Sequence, residues 1–219
     1  MVDPQRVSDH NSMPEQSVAV ERRTISGQQM PLNQPVIRLH QLAWQPVRFA
    51  HPLWLVRMGL QSKKYRYGDC HARDRAVNRC LIRLRGFPRQ PLPAVLTDKQ
   101  IAQMALEPRL DALCMALGLV SLRCTDYLRI RSYREALHPL LTDEHLCQLL
   151  GMGCPGGRAA IFSPQQLPAV ALQLGRGILH ATTSAAITWQ ALSILLPPLP
   201  RALWLPSADL WLARLERLL

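Results

Sequence analysis

The chain has 219 residues, 48% of them apolar and 19% charged, the balance of an ordinary globular domain, with or without a tail. Its formal net charge is +11, carried almost wholly by arginine because lysine occurs only at Lys63, Lys64 and Lys99. Such an excess suits nucleic acid, an anionic membrane surface or an acidic protein face, or else reflects a compositional bias that leaves a solvated basic surface. The six cysteines contain no C-x-x-C pair, and the first sixteen residues carry no apolar core of a secretory signal, which excludes the disulfide scaffold of a short secreted protein and points to a reducing cytoplasm.

Residues 1–35 are polar, with scattered Pro and Gly, and read as a disordered tail; an irregular multi-helix domain is expected over 36–219. The run Val36–Trp44 reads as a short strand or extended arm. His51–Leu60 reads as a helix with Pro52 at its first position, and Lys63–Gly68 as a basic, aromatic loop. Asp69–Arg85 is the next helix: Ala72, Ala76, Cys80 and Leu84 fall on one stripe, with Val77 and Leu81 beside it, and arginines spread around the rest. Gly86 and Pro88 end it. Thr97 with Gln100 three residues on is a capping-box signal for a helix running to Glu107.

Pro108–Cys124 follows, PRLDALCMALGLVSLRC. It has no charged residue between Asp111 and Arg123, so it reads as a helix apolar on all sides and buried on several, yet too short to cross a bilayer. A mixed helix is expected over Thr125–Leu137, another from Thr142 to Gly151, then a loop at GMGCPGG. Ser163, Pro164 and Gln166 read as cap, first position and capping box of a long helix that Gly175 and Gly177 would strain. Gly177–Pro200 holds no acidic residue, lysine or arginine, but its His, Thr, Ser and Gln residues favour core helices over a membrane span. A final helix from Ser207 would bury Leu210, Trp211, Leu215 and Leu218. The expected class is all-α.

Catalytic patterns are lacking: there is no G-x-S-x-G, H-E-x-x-H, P-loop or G-x-G-x-x-G, and the carboxylates are few and scattered. Cys70, His71 and Cys80 could suggest zinc, but a second ligand pair is missing. No cofactor, metal or small-molecule substrate is expected. The stretch Lys63–Arg85 could bind nucleic acid, with Tyr65 and Tyr67 stacking on bases while Lys63, Lys64 and Arg66 neutralise phosphate; its plainer reading is a basic face that meets water or an acidic protein.

Three local patterns together resemble one family. Gln45-Pro46-x-x-Phe49-x-His51-Pro52-x-x-Leu55 resembles the P-x-x-Y-x-H segment near the start of the SctK (YscK- and PscK-like) proteins of bacterial type III secretion systems, with Phe49 in place of the usual Tyr. Leu110–Val120 resembles that family's L-x-x-L-x-x-x-L-G-L helix, and basic Arg123, Arg129 and Arg131 follow it. Gly175–Leu179 and Trp189–Pro197 are similar to a later helix in which a Trp leads into an Ile/Leu-rich run closing on Pro. The chain departs from the family in its longer tail and in its more basic helix at 69–85. The resemblance implies a non-enzymatic, all-α virulence adaptor of the injectisome sorting platform. Such an adaptor joins pods built on SctQ, with SctL and the secretion ATPase, to the cytoplasmic part of the inner-membrane ring protein SctD, and works at the cytoplasmic face of that membrane. An adaptor needs two patches. Phe49, His51 and Trp54 are the candidates for one, against core packing for Phe49 and Trp54; Arg73, Arg79 and Arg83 are the candidates for the other, against a solvated face.

Overall fold

Helices with recognisable starts and stops make up the described part of the chain. The structure, a computed structural model, describes residues 34–60, 65–123, 125–153, 161–183, 185–198 and 203–219. The expected tail up to residue 33, the lysines at 63 and 64 and most of the GMGCPGG loop lie outside them. The helices are α1 (Gln34–Trp44), α2 (Pro52–Arg57), α3 (His71–Arg85), α4 (Asp98–Ala105), α5 (Leu110–Ser121), α6 (Thr125–Arg129), α7 (Arg131–Leu137), α8 (Asp143–Gly151), α9 (Leu167–Thr182), α10 (Ile187–Leu192) and α11 (Ala208–Leu218). Short 3-10 turns occur at Pro46–Arg48, Glu107–Arg109 and Ser193–Leu195. No strand occurs among the described residues, and the fold is all-α. No helix among them is long and apolar enough to cross a membrane.

The apolar helix is the axis of this fold. Every α5 residue from Ala112 to Val120 is buried, and α9 is its principal neighbour. The two run antiparallel, since Gly118 of α5 lies against Ala171 of α9 while Gly175 of α9 lies against Cys114 of α5. At both points backbone meets backbone. A Cβ on Gly118 would stand 1.9 Å from the Ala171 carbonyl oxygen, and one on Gly175 would stand 1.7 Å from that of Cys114. The glycines thus bring the helices together rather than straining α9, because the cost of glycine in a helix is offset by a contact that no larger residue allows. Arg176 fixes the register through an ion pair with Asp111 at 2.8 Å. α11 closes over both helices.

Several boundaries differ from the sequence expectations, each for a physical reason. Val36–Trp44 is helical, not extended: Leu39, Leu42 and Ala43, three and four residues apart, are buried where α1 packs on α4 and α10, and that packing outweighs the β preference of Val36 and Ile37. The helix expected over Thr125–Leu137 is two helices, broken at Ile130, whose backbone is extended. The capping box expected at Thr97 is formed, and Thr142, expected only as a helix start, also makes one, with His145 as the returning partner. At Ser163 the chain instead makes a turn, and α9 begins at Leu167 with Pro168 in its first turn. α11 buries Leu212 and Leu215 while Leu210 is exposed.

Candidate functional site

The upstream motif is a staple across the fold. Pro46 opens a 3-10 turn, and the Val47 N–H donates to Oδ1 of Asn78 on α3 at 3.0 Å. The Phe49 ring packs against the core with the Arg38 guanidinium 3.9 Å above its centre, and Arg38 also pairs with Glu107. His51 caps α2: its Nδ1 accepts the Leu53 N–H at 3.3 Å, while its own N–H donates to the Ile194 carbonyl at 2.9 Å. The Trp54 indole N–H donates to the Leu196 carbonyl at 2.9 Å. The first and third sequence landmarks are therefore bonded to each other. Phe49, His51 and Trp54 are each partly buried, and the outer side of α2 presents Leu53, Val56 and Arg57 to solvent.

Burial, and the nearby Arg176 cation, hold the His51 imidazole below its ordinary value of 6.5, against a smaller opposing pull from Asp111. Protonation would also turn the Nδ1 acceptor into a donor facing the Leu53 N–H. With the folded value lowered, the unfolded chain takes up the proton first, so this contribution is intact above 6.5 and is lost as pH falls below it. His51→Asn keeps a capping oxygen. Denaturant melts between pH 7.5 and 5 are expected to show a flatter decline for this variant than for the parent, whereas His51→Ala loses about 1 kcal/mol relative to the parent at pH 7.5 and less at pH 5, where the parent's cap is already protonated.

α3 turns a different face inward from the one its apolar residues suggest. Asp74, Val77, Asn78 and Leu81 are buried, whereas Ala72, Ala76, Cys80 and Leu84 are exposed. Two polar residues hold the inner face: Asp74 accepts the Tyr65 hydroxyl at 2.7 Å and the Gly68 N–H at 3.0 Å, and Asn78 holds Val47. Tyr65 is 5% exposed, and Tyr67 packs partly against the core. Tyr65 is not free to stack on a base and Tyr67 only partly, which weakens the aromatic half of the nucleic-acid reading. Cys80 is an exposed thiol rather than part of the core, as are Cys70 and Cys147, and burial pushes the Cys114 thiol up to about 12. No cluster of three or more His, Cys, Asp or Glu side chains able to hold a metal occurs among the described residues.

Of the expected arginine patch, Arg73, Arg79 and Arg83 are all exposed along α3, joined by Arg75. Arg73 lies over the Tyr65 ring at 5.4 Å and Arg79 bonds the Arg75 carbonyl at 3.4 Å. None forms an ion pair among the described residues.

Beyond the end of α3 opens a cavity of about 590 Å³ between α2, α9 and α10. Trp54 and Trp189 are part of its wall, and Arg57, Arg85, Arg89 and Arg176 all line it, with no carboxylate among the lining residues. Arg85 donates through Nη2 to the Gln190 carbonyl and to Ser193 Oγ, and burial lowers its value to about 10, so it stays cationic at neutral pH. Trp189 opens the third sequence landmark, but nothing in the sequence brings it to one cavity with Arg85 and Arg176. Arg85 looked like one more helix arginine, and the other two sit on helices 90 and more residues downstream.

A family model of type III secretion system subunits matches residues 37–198. The chain belongs to that family. The matched segment of this type III secretion subunit contains all three landmarks, from Gln45 to Pro197, together with α3 and the cavity. It is a family of secretion-apparatus subunits, not a known enzyme family. No curated protein and no solved structure matches the chain.

Proposed function

We propose that this subunit is an SctK-type, non-enzymatic adaptor of the sorting platform, joining an SctQ-like pod protein, and through it SctL and the secretion ATPase, to an SctD-like inner-membrane ring protein at the cytoplasmic face of the membrane. The observation that carries the reading is the staple: the P-x-x-F-x-H-P segment, the L-G-L helix and the Trp-to-Pro run come in the SctK-like order and interlock through His51, Trp54, Gly118 and Gly175. Two separate surfaces suit an adaptor. One surrounds Phe49, His51 and Trp54, with the exposed Leu53 and Val56 beside them. The other is the arginine face of α3, with Arg73, Arg79 and Arg83, which suits an acidic protein surface.

Co-expression with the SctQ-like and SctD-like proteins of the same organism, followed by affinity purification, is expected to recover both with the tagged subunit. Recovery of neither would sink the reading. Salt-resistant binding of single-stranded DNA that vanishes in an Arg73→Ala, Arg79→Ala, Arg83→Ala variant would favour a nucleic-acid-binding role instead.

A further inference from the structure

The cavity at the end of α3 is built of donors. The Arg85 Nη1, the Arg176 Nε and the Trp189 Nε1 are each shut off from solvent, and each lacks a hydrogen-bond acceptor among the described residues. All three side chains line this one cavity, and Trp189 is only 3% exposed. A buried donor without an acceptor costs about 1–3 kcal/mol, so three in one place are a considerable expense. Arg57 and Arg89 add two exposed cations at the rim. Arg176 is answered by Asp111, but no carboxylate among the lining residues answers the exposed Arg57 and Arg89, so a negatively charged hydrogen-bond acceptor fits the cavity mouth, and a carboxylate is one.

The cavity also continues onto the surface. Leu84, 47% exposed, belongs both to its wall and to the outer stripe of α3. From Leu84 the exposed Cys80, Ala76 and Ala72 run back along the helix for about 18 Å at 1.5 Å per residue. Four residues advance 400° at 100° per residue, so this stripe winds slowly, and Arg73, Arg79 and Arg83 flank it. Small apolar residues between arginines make a shallow track for an acidic amphipathic segment; a free small anion would need the donors alone and would leave the track without a use.

We propose that the α3 track and the cavity form one docking site for an acidic, amphipathic segment of a partner protein, which lies along Ala72–Leu84 and places a carboxylate at the cavity mouth beside Arg57 and Arg89. The occupant being a platform protein rests on the adaptor reading; the chemistry of the site does not.

Two measurements separate the two. In the first, fluorescence of the full chain is followed while a short peptide of Leu, Ala and Glu is added, with a peptide carrying Lys in place of Glu, and citrate, as comparisons. The Glu peptide is expected to bind, the Lys peptide not, and the rim variant Arg57→Ser/Arg89→Ser to weaken binding by at least about tenfold, the loss expected for charge-assisted contacts. Arg131→Ser, a change at an exposed arginine outside the cavity, is expected to change nothing. Absence of Glu-peptide binding overturns the proposal, as does equal loss in Arg131→Ser. Citrate binding that the rim variant abolishes, with no Glu-peptide competition, overturns it too. In the second, the rim variant is purified with the SctQ-like and SctD-like proteins. Loss of one partner with retention of the other supports the site as a platform contact. Parental recovery of both removes the platform protein as occupant, while recovery of neither by the parent chain sinks only the adaptor reading.

Discussion

Gly118→Ala and Gly175→Ala are each expected to destabilise the subunit by about 3 kcal/mol or more, read as a lower urea midpoint with little change in slope. The added methyl would stand 1.9 Å and 1.7 Å from carbonyl oxygens of the facing helix. These are backbone atoms, so no side-chain rotation relieves the clash, and α5 and α9 must separate. Separation would in turn loosen the Arg176–Asp111 pair and open the layer over Met115 and Leu117. Gly151→Ala supplies the contrast. That glycine ends α8 with nothing within 4 Å of its would-be Cβ, so alanine there is expected to be neutral or to stabilise by up to about 1 kcal/mol. Equal effects at all three positions would mean that intrinsic helix preference, and not helix contact, explains the glycines.

Much of the fold was legible because local chemistry repeats what tertiary packing demands. α5 announces itself by having no charged residue between Asp111 and Arg123, and it is buried from Ala112 to Val120; Thr97 with Gln100 announces a helix start through its capping partner. α3 shows where such reasoning fails. Its true inner face carries Asp74 and Asn78, and a count of apolar residues assigns both to solvent; their partners, Tyr65, Gly68 and Val47, come from a loop and a 3-10 turn that no helical period reveals. Ala72, Ala76, Cys80 and Leu84 therefore looked like core and form a surface track instead. α1 failed in the other direction, since β-branched Val36 and Ile37 masked the buried Leu39, Leu42 and Ala43. The cavity was beyond sequence reading altogether, because Arg85, Arg176 and Trp189 meet only after α3, α9 and α10 have packed.

The inverted face of α3 has a testable energetic core at Asp74, the only carboxylate buried among the described residues. Asp74→Ala leaves the Tyr65 hydroxyl and the Gly68 N–H without their acceptor, and both belong to the turn that leads the chain into α3. The expected cost is about 2–4 kcal/mol, within the range for losing a charged acceptor from two donors. Asp74→Asn retains one carbonyl oxygen and is expected to recover roughly half of that. Tyr65 supplies the cross-check. Burial, the hydrogen bond to Asp74 and the charge of that carboxylate all raise the phenol well above its ordinary value of 10. The neutral phenol is thus the folded form, and its contribution holds below 10 and is lost as pH climbs through the raised value. Tyr65→Phe in the parent should remove that alkaline loss, and in the Asp74→Ala background should cost less than it does alone, since its partner is already gone. If the two substitutions instead add independently, the hydroxyl and the carboxylate do not act as a pair, and the polar hold on the inner face of α3 rests on the Asp74–Gly68 and Asn78–Val47 bonds.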